Sequence, residues 1–281
     1  MKINYIIKLL FSFVVLFQSL PNVAGERQTD SEYTFGVFPY LSKKLMHNIY
    51  APLNDRVNSI LTNHSSFTTE LSHRNFIHKL NNEIYDFALI PPFWYPVAVD
   101  KKNYIAELKV KEPFSALIVT LEDSPIESAD DLRGKVIATP PIFVPVVSLS
   151  VSALIQQGIV PGVDVTFSEN ETVDACLRKV VDKKVSACIT PSYIPFILGS
   201  EFNVKFKTIL KSSNIPSVSL VIHSRVNQID RDKLINMFSS LSETVGGREL
   251  LKNMQTEGFV TFNDDEYDVV RQLVRKSRLM H

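Results

Sequence analysis

The sequence predicts an α/β fold built on mostly parallel sheet covered by helices on both faces. Two observations carry that reading. From Tyr33 onward, short apolar runs alternate with stretches whose apolar residues recur at helical spacing. Runs such as "YDFALI" are apolar almost throughout, as strands buried on both faces must be. The chain has no internal repeats, heptads or low-complexity tracts.

The N-terminal stretch Met1 to Gly25 is set apart from this pattern. It carries Lys2 and Lys8, then an apolar run from Leu9 to Phe17, then "QSLPNVAG" with small residues near its end. That is the layout of a secretory signal peptide, and its apolar part is too short for a comfortable membrane span. The expectation is an exported, periplasmic chain without a lipid anchor, since this stretch holds no cysteine. The chain beyond residue 25 suits one large or two medium domains.

In chain order, "YTFGVF" reads as the first strand, and Leu45, Ile49, Leu53, Val57 and Ile60 mark the inner stripe of a helical region interrupted by Pro52. "SSFTTEL" is a weaker strand. Ser72 is placed to cap a helix holding Phe76 and Leu80, and "YDFALI" is a buried strand. A second series begins with strand "FSALIVT"; Ser128 and Asp131 have capping-box spacing before a short helix that "RGK" ends, and strand "VIAT" follows. Val147 to Gln157 reads as a helix closed by Gly158. Strand "VDVTF", a helix through Val173, Leu177 and Val180, and strand "SACIT" come next. "IPSVSLVIHS" contains a long strand; beyond it Leu234, Phe238, Leu241 and Val245 form one helical stripe, and Asn263 with Glu266 gives a capping-box signature before Tyr267, Val270 and Val274.

Ligands of open parallel sheets sit beyond the carboxyl ends of the strands. Four such ends share one chemistry: "FPY" at 38–40, "PPFWY" at 91–95, "TPPIF" at 139–143 and "TPSY" at 190–193. Proline stiffens each turn and gives up its donor, while the aromatics offer flat apolar faces. One such aromatic alone reads first as packing at the end of a core. The four together point to a cleft suited to apolar or ring surface.

Other classes find little support. Lys plus Arg balance Asp plus Glu at 30 each, so no overall field favours nucleic acid. His73 and His78, five apart, do not share a helix face as a metal pair, and most histidines are expected to be solvated. No nucleophile elbow, phosphate-cradling loop or dinucleotide fingerprint appears. The acidic run Asp264 to Glu266 is explained by a helix start. No residue nominates itself as catalytic, and no cofactor or metal is implied. Cys176 and Cys188 lie in the exported part; a disulfide between them and two separate small buried hydrophobes are both open readings.

Four segments, "GVFPYLSKKLMHNIYAPLNDRV", "FIHKLNNEIYDFALIPPFWY", "SPIESADDLRGKVIAT" and "GRELLKNMQTEGFVTFNDDEYDVVRQL", resemble the phosphate, phosphite and phosphonate-binding proteins of bacterial ABC importers. The resemblance implies a type II periplasmic binding-protein fold, with two α/β lobes joined by two crossing strands and the ligand clamped between them. It places lobe 1 at 26–111 and 217–281 and lobe 2 at 112–216, with crossings near Lys111 to Ser115 and Ser212 to Ser217. It matches Tyr40 and Tyr95 to cleft aromatics of the first lobe. The second lobe departs from the family: Ile142, Phe143, Val144 and Pro145 stand where a hydroxyl-rich helix start grips the anion, Asn170 where a histidine is common, and Ser186 where an aspartate often precedes "ACIT". Each lost hydrogen bond to a charged group removes roughly 1.5 to 3 kcal/mol.

The expectation is a monomeric solute-binding protein whose small ligand is not a simple phosphonate. Tyr40, Trp94, Tyr95, Phe143 and Tyr193 are expected to give stacking faces, and Thr139, Ser148 and Thr190 hydroxyls. The partner is an ABC permease or a membrane sensor kinase. A non-transport envelope protein with an occluded cleft is the alternative.

Overall fold

A computed structural model describes residues 32–278; the expected signal peptide lies outside the described residues. The apolar runs form two separate sheets. The first draws on β1 (Tyr33–Val37), β2 (Ser65–Thr68), β3 (Phe87–Ile90), β4 (Tyr104–Val110), β10 (Ser219–His223) and β11 (Phe259–Thr261), in the order β11-β4-β10-β3-β1-β2. The second uses β5 (Ala116–Leu121), β6 (Val136–Thr139), β7 (Thr166–Glu169), β8 (Ala187–Pro191) and β9 (Phe206–Lys211), in the order β7-β6-β8-β5-β9. Helices α1 (Lys43–Asn58), α2 (His73–Asn81), α3 (Tyr95–Lys101), α7 (Gln228–Ser239), α8 (Val245–Met254) and α9 (Asp268–Arg278) belong with the first sheet; α4 (Pro145–Gln156), α5 (Val173–Val181) and α6 (Ile194–Phe202) belong with the second.

The parallel winding holds for β1 with β2 and β3, and for β6 with β7 and β8. Antiparallel pairs arise where the chain crosses between lobes. β5, the first strand after one crossing, runs antiparallel to β8 and β9, and β10, the first after the return, runs antiparallel to β3 and β4. The crossing segments pair with each other: Phe114 and Ile215 exchange both backbone bonds at 2.9 Å, and Val110 N–H donates to the Val218 carbonyl at 2.8 Å. The molecule is thus a two-lobed α/β protein on a two-stranded waist.

Local chemistry explains most elements. Phe35 and Phe87, aligned in register on β1 and β3, stack with centroids 4.9 Å apart and are fully buried; burial of such a side chain contributes roughly 1.5 to 3 kcal/mol. Gly36 is required next to Phe35 on β1, because a Cβ there would lie 2.5 Å from the Tyr85 ring. Ser72 and Thr172 cap α2 and α5 by accepting the amides of Asn75 and Ala175. Helix α1 continues through Pro52 and buries Met46, Ile49, Leu53 and Val57.

Several expectations are corrected. The stripe from Leu234 to Val245 is two helices, because Thr244 caps a new one at Gly247 N–H and a Cβ at Gly247 would strike the Leu241 carbonyl. Asn263 caps only a single 3₁₀ turn through Asp265 N–H, while Glu266 pairs with Lys109 and makes no capping box. The short helix after Ser128 is likewise a 3₁₀ turn, with Asp131 accepting the Ser128 amide at 2.9 Å. The strand read at "VDVTF" begins later, at Thr166. His47, His64 and His78 are exposed, as expected of most histidines, whereas His73 and His223 are buried. β4, β9, β11, α3 and α6 have no counterpart in the elements expected from the sequence pattern.

Candidate functional site

The carboxyl ends of β1, β3, β6 and β8 meet the crossing strands around a cavity of about 490 Å³. From the first lobe come Phe38 and Tyr40 after β1, Tyr50 on α1, His73 on α2 and Pro91 after β3. The second lobe supplies Pro140, Val144, Pro145 and Val146 after β6, Val173 on α5, and Pro191, Tyr193 and Phe196 after β8. The waist closes one side with Glu112, Phe114, Lys211 and Ser217, and the end of α8 adds Met254, Gln255 and Thr256.

Helix starts divide by whether a side chain caps them. Helices α2, α5, α7 and α8 are capped by the side chains of Ser72, Thr172, Asn227 and Thr244. Helices α1, α3, α4 and α6, which follow the strand exits, have no side-chain cap, and the last three carry a proline in the first turn. A proline there is preorganised for the helix but removes one of the donors an anion would use. The α4 corner is therefore stiff and apolar, with Val144 and Pro145 buried against the cavity and Ile142 and Phe143 exposed at its rim.

Polar chemistry in the cavity is mostly phenolic. The Tyr40 and Tyr50 hydroxyls lie 2.9 Å apart, and the Tyr193 ring meets Tyr40 edge-on at 5.7 Å from across the cleft. Burial pushes Tyr50 up to about 12 and raises Tyr40 and Tyr193 as well, so all three stay neutral donors. One proton is used between Tyr40 and Tyr50, which leaves the other free for a ligand acceptor. His73 stacks on Phe38 at 4.7 Å and hydrogen-bonds the Pro39 carbonyl; burial lowers it to about 4, so the ring is neutral.

Of the residues singled out in the sequence, Tyr40 and Tyr193 line the cavity. Six do not. Trp94 sits in a 3₁₀ turn, half-buried, with its indole N–H lacking a hydrogen-bond partner among the described residues. Tyr95 turns away beneath the C-terminal elements, packed on Phe262 and Tyr267 at 4.9 and 4.5 Å, its hydroxyl bonded to Asp264. Thr139 is wholly buried with an unpartnered hydroxyl, Thr190 donates to the Pro191 carbonyl at 3.1 Å, and Ser148 is solvent-exposed on α4. Phe143 crosses the rim instead of lining the cavity: its ring meets His73 edge-on at 6.1 Å and lies under the Arg74 guanidinium at 5.5 Å. Cys176 and Cys188 are bonded to each other, wholly buried between α5 and β8, away from the cavity lining. Sequence reading missed Tyr50, hidden in a helical stripe, and the waist residues Glu112, Phe114 and Lys211, which no local motif marks.

Two lobes on a paired-strand waist, with a partly open cavity walled from both sides, define a two-lobed clamp architecture. A family profile described as "ABC transporter, phosphonate, periplasmic substrate-binding protein" matches residues 35–267. The chain belongs to this family. Its fold is similar to a binding protein component of an ABC phosphonate transporter from Pseudomonas aeruginosa, at TM-score 0.71 and 16% identity over 89% of this chain and 88% of that one. PhnD1 from Prochlorococcus marinus, in complex with methylphosphonate, superposes at TM-score 0.74 with 11% identity over 89% and 99% of the two chains. The periplasmic aliphatic sulphonate binding protein SsuA from Escherichia coli gives TM-score 0.60 and 14% identity over 88% of each. No curated protein matches the sequence.

Proposed function

We propose that the protein is an exported, monomeric solute receptor that closes its lobes on a small organic ligand of largely apolar, ring-bearing surface, not a simple phosphonate. It delivers the closed form to an ABC permease; a membrane sensor kinase is the alternative recipient. The observation that carries this reading is the α4 corner, where Pro140, Val144, Pro145 and Val146 wall the cavity. Tyr40, Tyr50 and Tyr193 complete a surface that rewards ring stacking and one or two accepted hydrogen bonds. A cavity of about 490 Å³ favours a binding role over a cleft packed shut. Closure arises from differential contact: a ligand touching Tyr40 and Tyr193 together gains both only when the lobes meet.

The test is native mass spectrometry of the protein purified from its own periplasm. The expected result is an organic adduct, lost in Tyr193→Ala. A phosphate or phosphonate adduct would overturn the reading.

A further inference from the structure

A second cavity, of about 330 Å³, lies at the β2 edge of the first sheet, where that strand ends against α1. Lys43, Lys44, His47 and Asn48 line it from the helix, and Phe67, Thr68 and Thr69 from the strand and the residue after it. It shares no lining residue with the cleft. Its floor is anchored in the core: the Phe67 ring packs against Phe35 at 5.9 Å and Tyr50 at 6.1 Å, and the His47 ring meets it at 6.2 Å.

The polar groups above that floor are mostly donors. The four α1 side chains are exposed, and the Lys43 and Lys44 ammonium groups have no ion pair or hydrogen bond among the described residues. No acid lines the cavity. Glu70, the nearest acid along the strand end, is taken up by Lys79 at 2.7 Å and by the Thr68 hydroxyl at 3.5 Å. Thr69 is 7% exposed, yet its hydroxyl has no hydrogen-bond partner among the described residues. An unpaired buried hydroxyl costs roughly 1 to 3 kcal/mol, and a ligand oxygen in this cavity would relieve that cost. Two point charges with a hydroxyl, an amide and an imidazole around them suit a tetrahedral oxyanion. The flat, two-pronged match to a carboxylate is arginine's, and the lining has none.

We propose that this cavity is a second binding site, outside the cleft, for a phosphate group, carried either by free phosphate or by the headgroup of an anionic lipid. Calorimetry of the mature chain with inorganic phosphate at low salt should show binding that weakens at least about tenfold in Lys43→Ala with Lys44→Ala, the loss expected when a hydrogen bond to a charged group is removed. Thr69→Val should weaken it too without lowering the melting temperature, because valine fills the same space and leaves no unpaired hydroxyl. Co-sedimentation with phosphatidylglycerol vesicles, set against phosphatidylcholine, separates the sources. Retention that inorganic phosphate displaces assigns the lipid headgroup; phosphate binding without retention assigns the free ion. Wild type that fails to bind millimolar phosphate overturns the proposal, and so does binding that the double lysine variant keeps in full. Tyr193→Ala distinguishes this site from the cleft: phosphate held here survives that substitution, whereas phosphate that would overturn the cleft reading is lost with it.

Discussion

His73 illustrates what one residue in this cleft contributes. It is 4% exposed, stacked on Phe38, and bonded to the Pro39 carbonyl as a neutral ring. Its folded value is lowered to about 4 from 6.5, so between those values the unfolded chain binds the additional proton. The contribution to stability is therefore complete above about 6.5 and is lost as pH falls toward 4. At pH 5 the loss amounts to roughly 2 kcal/mol, or about 5 °C in melting temperature for a chain of this size. Melting curves from pH 7 to 4 should fall more steeply for wild type than for His73→Gln. Parallel curves would mean that His73 titrates as an ordinary surface histidine.

At the scale of elements, the Cys176–Cys188 bond ties α5 to β8 across a sequence separation of 12. Closing a loop of that order restricts the unfolded chain and contributes about 3 kcal/mol. Cys176→Ala with Cys188→Ala should lower the melting temperature by roughly 6 to 12 °C, and amide exchange should accelerate in β6, α5 and β8 while β1 and β3 keep their protection. Equal acceleration in both lobes would contradict a role confined to the second. The same elements mark how far the sequence can be read. Central strands such as β3 and β8 are buried throughout and largely apolar, and declare themselves; β9, an edge strand reading "FKTILK", carries lysines that resemble a solvated loop. Helices α3 and α6 read as turns in the sequence because a proline stands in their first turn. The strand exits are legible as the place of the cleft, and Tyr40 and Tyr193 with them. Which ring at an exit faces inward is not, since the 3₁₀ turn Pro92–Trp94 rotates Tyr95 toward Tyr267 through contacts distant in sequence.

For the molecule as a whole, the paired strands at the waist join the lobes, and the rim carries side-chain contacts between them. Phe143 is 41% exposed, so it gives little to the core of its own lobe, yet its ring reaches His73 and Arg74 of the other. An edge contact and a cation–π contact at a half-exposed site together contribute about 1 to 2 kcal/mol. All of it belongs to the arrangement in which the lobes meet at the rim, because separating them removes both partners. Phe143→Ala should therefore shift the ligand-free population toward open forms by roughly 5- to 30-fold. The radius of gyration in solution should rise while the melting temperature moves by no more than about 2 °C. The reverse pattern, an unchanged radius with a melting temperature several degrees lower, would assign Phe143 to the core of the second lobe. A ligand that fills the cleft would then have to supply the entire closing free energy itself.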